Sequence, residues 1–282
     1  MGNCCSNEVP NDMSLTKQKT GKKIKKTRKS ANAKGAEGKP EDAQVISEVS
    51  TSTGADLEKM KELWEDPFYF NDDGIRDENF FEEEEITLDR RGDVHPLFNQ
   101  EVTDKIFEHI NEDVKKTYER EGPYMYRKGE LNECKFKHES LEVRPLTKCD
   151  DGSIYLGQWN KETNKREGRG VAILADGSLY EGFWHDDLKS GHGRLIFSSG
   201  DAYQGQWRHG VSCHYGVFVG FANYKVKGNW KYGKIHGQTY ECLANGSTYK
   251  GDFEDGKKHG KGVFIFGPGH HYEGEMRENK KC

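Results

Sequence analysis

From Asp151 onward, large aromatics alternate with glycine in a pattern that repeats along the chain. It reads Tyr155-x-Gly157-x-Trp159, Tyr180-x-Gly182-x-Trp184, Tyr203-x-Gly205-x-Trp207, Val226-x-Gly228-x-Trp230, Tyr249-x-Gly251-x-Phe253 and Tyr272-x-Gly274-x-Met276. The first positions stand 25, 23, 23, 23 and 23 residues apart, and the two extra residues fall in the loop 161–167. A second landmark follows each: Gly168-x-Gly170, Gly191-x-Gly193, Gly216, Gly237, and Gly260-x-Gly262. A third closes the unit as Asp176-Gly177, Ser199-Gly200, Asn245-Gly246 or Gly269. Six matches in register define an internal repeat.

In a strand, residues i, i+2 and i+4 point to one face, so the Tyr, Gly and Trp of a unit share a side. The intervening glycine leaves room for rings of the neighbouring unit to lie over the backbone. Asp-Gly and Asn-Gly supply the left-handed residues that a tight hairpin needs. Each unit therefore reads as two short antiparallel strands that bury their aromatics only when stacked. About eleven strands at ~4.8 Å spacing predict a mostly β protein, a single elongated antiparallel sheet roughly 50 Å long. Val226 in place of Tyr, His214 and Asn223 in place of Gly, and Thr239 in place of Gly predict a local bulge in units three and four. A specialised contact surface there is the alternative.

This array resembles the MORN (membrane occupation and recognition nexus) repeats, and looks especially like ciliate and alveolate arrays in Asp176-Gly-Ser-Leu-Tyr-Glu-Gly-Phe-Trp184 and Gly191-His-Gly-Arg-Leu-Ile196. The resemblance covers residues 151–282 and implies a β-hairpin solenoid. It further implies a scaffold at membranes, cytoskeletal structures or axonemes, and in some members dimerisation or phosphoinositide binding.

Before the array the pattern changes. Val102, Ile106, Ile110, Val114 and Tyr118 fall at i+4 spacing and predict one helix over about 100–121, its single apolar stripe packed on the C-terminal body. A partner-binding helix is the alternative. A shorter helix is expected over 55–64, followed by an acidic stretch, 64–85, that carries Phe68, Tyr69, Phe70, Phe80 and Phe81. The domain reading is thus a disordered basic arm over 1–54, an acidic and partly helical segment over 55–121, lead-in strands or a cap over 122–150, and the array over 151–282.

Charge sharpens that division. Residues 1–40 hold ten bases and three acids, residues 41–121 nine bases and twenty-five acids, and the remainder twenty-four bases and twenty acids. The total of −5 over 282 residues hides a basic arm and an acidic middle. Mean hydropathy of −0.99, with 33 Gly against 7 Pro, fits an open, turn-rich sheet joined to a polar segment. No stretch is long and apolar enough to read as a spanning helix or a secretory leader, so a cytosolic-facing chain is expected.

Met1-Gly2-Asn3-Cys4-Cys5-Ser6 fits the N-myristoylation pattern, with Gly2 as acceptor and Ser6 at the required position. A single myristoyl chain binds only marginally. Cys4 and Cys5 offer palmitoylation sites, and Lys17, Lys19, Lys22, Lys23, Lys25, Lys26, Arg28 and Lys29 form a polybasic run suited to anionic membrane lipids. The run lacks interleaved aromatics, which argues against nucleic acid.

Catalytic and cofactor chemistry finds little support. Gly228 to Lys234 imitates a phosphate-binding loop until Ile235, and its spacing is that of the repeat. His236 and His259 precede glycines at equivalent positions and read as turn residues. His270-His271 lacks a third ligand at any recognisable spacing, so no metal is expected. The expectation is a non-enzymatic scaffold without cofactor, lipid-anchored to the cytoplasmic face of a plasma, ciliary or cortical membrane and holding a cytoskeletal, ciliary or signalling partner. An axonemal subunit of the radial-spoke type and a phosphoinositide-binding module are the alternatives, and a homodimer is compatible with each.

Overall fold

The computed structural model describes residues 88–90, 92–94, 99–126, 140–220 and 223–282. The expected acylation sites, the polybasic run, the helix over 55–64 and the acidic aromatic stretch lie outside them.

Strands β1 (Asp93–Val94) and β2 (Met125–Tyr126) form a small antiparallel pair. Helices α1 (Gln100–Phe107) and α2 (Glu112–Glu121) lie between them in sequence. Next come β3 (Leu141–Lys148), β4 (Ile154–Asn160), β5 (Arg166–Ile173), β6 (Leu179–His185), β7 (Leu188–Ile196) and β8 (Ala202–Arg208). The run continues through β9 (Val211–Val219), β10 (Lys225–Lys231), β11 (Lys234–Cys242), β12 (Thr248–Glu254), β13 (Lys257–Gly267), β14 (His270–Arg277) and β15 (Lys280–Lys281). β3 to β15 make one open antiparallel sheet of thirteen strands in which each pairs with its neighbours in sequence. That exceeds the expected eleven, because β3 adds a hairpin arm ahead of the first repeat and β15 closes a final short hairpin. Twelve intervals of ~4.8 Å give the sheet a span of about 58 Å.

The helical region is two helices rather than one. An i+4 stripe advances 40° per step on a 100°-per-residue helix, so five such residues fan over too wide an arc to face one sheet. Asn111 breaks the helix: its side chain accepts from the backbone N–H of Asp113 at 3.0 Å and Val114 at 2.9 Å, capping α2. Asn99 caps α1 likewise through Val102 N–H at 3.0 Å. The chain resets its phase at that break, and Ile106, Val114 and Tyr118 are all buried in one cluster with Val171, Ile173, Leu179, Ile196 and Ala202. The stripe does pack on the array.

The sheet connections also differ from the expected placement. Asp176-Gly177, Ser199-Gly200 and Asn245-Gly246 sit in five-residue connections between units, where only the glycine is left-handed (φ 85°, 87° and 81°). Asp176 holds its turn open by accepting from Ser178 N–H at 2.9 Å. Two left-handed residues in succession mark the tight turns within units: Asp186-Asp187, His209-Gly210, Tyr232-Gly233, Asp255-Gly256 and Glu278-Asn279. The pairing register shifts in all five units, between Gly157 and Trp159, Gly182 and Phe183, Gly205 and Gln206, Gly228 and Trp230, and Gly251 and Phe253. The bulge is therefore a regular part of the repeat, not a peculiarity of units three and four. His214 (φ 49°) and Asn223 (φ 63°) adopt the left-handed backbone of the glycines they replace. His236 and His259 lie within β11 and β13 at that bulge, not in turns.

Candidate functional site

The sheet has two differently built faces. On the front, every leading Tyr lies across the glycine pair of its own unit. A Cβ on Gly205 would stand 2.5 Å from the Tyr203 hydroxyl and 2.6 Å from Cα of Gly216, so neither strand has room for a side chain there. The ring that fills the gap thus comes from the same unit, not the neighbouring one as expected. Tyr155, Tyr180 and Tyr203 each then meet two indoles edge-on, and Tyr249 meets Phe253 and Phe264 instead. Tyr180 lies 5.1 Å from Trp184 and 5.4 Å from Trp207, and Tyr203 lies 5.1 Å from Trp207 and 5.0 Å from Trp230. Such edge-to-face pairs add about 0.5–1.5 kcal/mol each beyond area burial. The indoles of Trp184, Trp207 and Trp230 donate to the carbonyls of Gly170, Gly193 and Gly216 at 3.4, 3.1 and 3.3 Å, one unit back. Tyr155, Gly157, Trp159, Gly182, Gly228, Tyr249, Gly251 and Phe253 extend the ladder on either side, and Tyr272 and Gly274 end it.

A single-layer sheet leaves such rings open to water unless something covers them. Here cations do. Arg166 stands 4.5 Å over Trp184, Lys189 4.5 Å over Trp207, and Lys258 5.3 Å over Phe253. Positions 166, 189, 212, 235 and 258 recur every 23 residues, and the two central ones are Ser212 and Ile235, both buried. Arg166 is held by Asp187 Oδ1 at 3.1 Å, Asp151 Oδ2 at 2.9 Å and Ser153 Oγ at 3.0 Å. Lys189 rests on rings instead, and desolvation pushes its pKa down to about 8. Lys258 pairs with Glu241, which also accepts from Tyr224 Oη at 2.6 Å.

On the back, α2 and the residues after it are clamped to the array. Arg194 donates from Nε to Glu181 at 3.0 Å and from a terminal nitrogen to the Gly122 carbonyl at 2.6 Å. The other Glu181 oxygen accepts from Tyr124 N–H at 3.1 Å. Thr117 Oγ1 donates to Gly200 O at 2.7 Å and Asn111 Nδ2 to Ser198 O at 2.8 Å. Tyr126 and Phe183 pack edge-on at 5.4 Å, beneath Arg169 at 4.9 Å from the Tyr126 ring.

Cys213 is buried, and desolvation drives its thiol well above the usual range. His185 accepts its charge more readily because Glu167 Oε1 lies 2.7 Å from Nδ1. Among the described residues no group of three His, Cys, Asp or Glu is placed to hold a metal ion. Gly228, Tyr232-Gly233 and Lys234 span strand, tight turn and strand, which accounts for the imitation of a phosphate loop. The repeat residues named from sequence all lie in the sheet. The cation cover and the Arg194–Glu181 clamp were missed, although the 23-residue recurrence of bases at 166, 189 and 258 was available as a signal.

The family comparison agrees with this geometry. The MORN repeat family matches residues 155–179, 180–202, 203–220, 227–248 and 249–271, so the chain carries five MORN repeats. The break between the third and fourth matches falls where Asn223 and Val226 depart from the pattern. No curated protein matches the chain. Among solved structures, the TCP domain of Drosophila melanogaster SAS-4 in complex with a proline-rich motif of Ana2 is 13% identical over 47% of this chain and 78% of that one, with a TM-score of 0.24. The TCP10 domain of Danio rerio CPAP, solved with a peptide of STIL, is 8% identical over 47% of this chain and 72% of that one, with a TM-score of 0.22.

Proposed function

Taking five MORN repeats as the premise, we propose that this protein is a non-enzymatic scaffold anchored by lipid to the cytoplasmic face of a membrane. Its array presents a surface to a cytoskeletal or ciliary partner. The observation that carries the reading is the pairing of two membrane signals with a long, uniform sheet. The signals are Gly2 with Cys4 and Cys5, followed by eight bases between Lys17 and Lys29. One acyl chain binds with only about 10⁴ M⁻¹, so a second acyl chain or the basic run supplies the rest. Each base near an anionic leaflet adds about 1 kcal/mol. The array spends its aromatics and most of its buried charges on its own cohesion, which suits a spacer.

The test is metabolic labelling with an alkyne myristate analogue and membrane flotation of wild type and Gly2→Ala. Label and flotation lost together in Gly2→Ala support the anchor. A wild type that carries no label and sediments with cytoskeleton overturns it in favour of an axonemal or cortical subunit. Flotation that persists in unlabelled Gly2→Ala points instead to the basic run or to lipid headgroups held by the repeats, and flotation of residues 122–282 alone separates the two.

A further inference from the structure

The back of the sheet is packed from β5 to β9 against α1, α2 and Leu88, Val217 and Val219 joining that cluster, and beyond β9 its composition changes. Val226 and Trp230 point to the front, so Lys225 and Lys227 of β10 point to the back. Their cross-strand partners continue that face: Val217 and Val219 on β9, Tyr240 and Cys242 on β11. Lys250 follows on β12 opposite Tyr240, then Val263 and Ile265 on β13. This is a platform of three lysines, a tyrosine and aliphatics. Lys227 is only 9% exposed, a level that its place on one face of a single-layer sheet does not itself provide. None of Lys225, Lys227, Tyr240 and Lys250 is without a partner.

The chain's own course points across this platform. β1 and β2 lie over β6, where Tyr126 packs on Phe183. Four residues before β1, Asp89 accepts from Gln204 Nε2 of β8 at 2.9 Å, and Leu88 is buried beside Ile196 and Ala202. Read backwards, the chain moves from β6 to β8, and the same heading leads over β9 to β12. Residues 64–87 bring ten acids, one arginine and six aromatics, with Glu82–Glu85 closest to Leu88. At ~3.3 Å per residue these four glutamates reach roughly 10–20 Å from Leu88. β10 and β12 stand two and four intervals of ~4.8 Å from β8, about 10 and 19 Å.

We propose that the acidic aromatic stretch 64–87 of this same chain docks on the back of β9–β13, with Glu82–Glu85 against Lys225, Lys227 and Lys250. Phe80 and Phe81 then reach the aliphatic end at Val263 and Ile265, the latter 42% exposed. An acidic partner that uses this platform competes with the chain's own segment for it. The inference stands independently of the membrane anchor, since it uses no residue of the N-terminal arm.

The experiment uses the full-length protein in two measurements. The first is zero-length carbodiimide cross-linking with peptide mapping, and the expected links join Glu82–Glu85 to Lys225, Lys227 or Lys250 within one chain. The second is amine acetylation followed by mass spectrometry, in wild type and in a variant with Glu82→Gln, Glu83→Gln, Glu84→Gln and Glu85→Gln together. Labelling of the three lysines is expected to rise about fivefold or more in the variant, about fivefold being the upper ratio that exposed ion pairs carry. Exposed Lys257 serves as the internal standard and stays unchanged. Links to other lysines, or labelling unaffected by the four substitutions, overturn the proposal. Links or protection that disappear on dilution overturn it too, and assign the platform to a second copy.

Discussion

Val226 and Thr239 are two departures from the repeat that answer each other. In the neighbouring units a tyrosine ring lies across a glycine pair, Gly205 with Gly216 or Gly251 with Gly262. At the fourth unit the ring is missing, and Thr239 stands opposite Gly228 with its side chain in the vacated space. A Cβ on Gly228 would meet Thr239 Oγ1 at 2.5 Å, where elsewhere it would meet a tyrosine hydroxyl. Both Val226 and Thr239 are fully buried, so the exchange keeps the layer packed.

The two sites therefore couple. Val226→Tyr alone drives a ring into Thr239 and costs about 1–3 kcal/mol by overpacking. Thr239→Gly alone empties the space and frees the backbone, at about 1 kcal/mol or more. Together they rebuild the arrangement of the other units, so the double variant is expected to be more stable than either single. Urea unfolding of the four proteins gives the coupling, and additive costs would mean that the two positions are independent.

Much of this fold is legible in the sequence because its period is short and its chemistry strict. Gly182 and Gly193 must both be glycine for one tyrosine to lie over them, so from the second unit on the spacing repeats without drift. The turns were harder to place, because Asp186-Asp187 and Glu278-Asn279 take left-handed backbone without any glycine to announce it. The helix break was hidden for a related reason. Asn111 sits inside an apolar stripe that looks continuous, and its capping role depends on where the sheet lies. The Arg194–Glu181 clamp is invisible in one dimension, since its partners Gly122 and Tyr124 are contributed by a segment far earlier in the chain.

Glycines of two kinds separate cleanly by substitution. Gly246 has φ 81° with nothing within 4 Å of an added Cβ, so Gly246→Ala pays only the left-handed penalty of about 1–2 kcal/mol. Gly182 needs no positive φ, but its Cβ would sit 2.6 Å from Cα of Gly193 and 2.6 Å from the Tyr180 hydroxyl. Gly182→Ala must push strands apart, at or above the upper end of the roughly 1–3 kcal/mol that overpacking costs. Chemical denaturation that ranks Gly246→Ala as the more damaging change would refute the tyrosine-over-glycine account.

The back-face clamp should behave as a buried ion pair. Arg194 and Glu181 side chains are 3% and 2% exposed, so neither charge is solvated without the other. Arg194→Met strands a carboxylate and is expected to cost about 3–5 kcal/mol, whereas Arg194→Met with Glu181→Met costs clearly less. Hydrogen exchange adds a spatial readout. Amides of α2 and Tyr124 are expected to exchange faster in the single variant, because Gly122 O loses its donor and Glu181, the acceptor of Tyr124 N–H, loses the guanidinium that holds it. Protection there that matches wild type would show that the helices hold without the clamp.

Lys189 makes a pH-dependent prediction with a definite sign. Its ammonium lies over the Trp207 and Tyr180 rings, and burial lowers its pKa from 10.5 to about 8 in the fold. Below pH 8 the group is charged in both folded and unfolded chains, and the fold bears the full desolvation cost. Between pH 8 and 10.5 the folded chain releases the proton while the unfolded chain keeps it, so this cost shrinks as pH rises. A shift from 10.5 to about 8 corresponds to a net penalty on the order of 3 kcal/mol at neutral pH. Lys189→Met keeps the apolar cover over Trp207 without the charge. It should therefore be more stable than wild type by about that amount at pH 7, with the gap closing by pH 10. Thermal melts at pH 7, 8, 9 and 10 measure the gap directly. A difference that stays constant across the series would place the Lys189 ammonium in water, with Trp207 covered by the methylene stem alone.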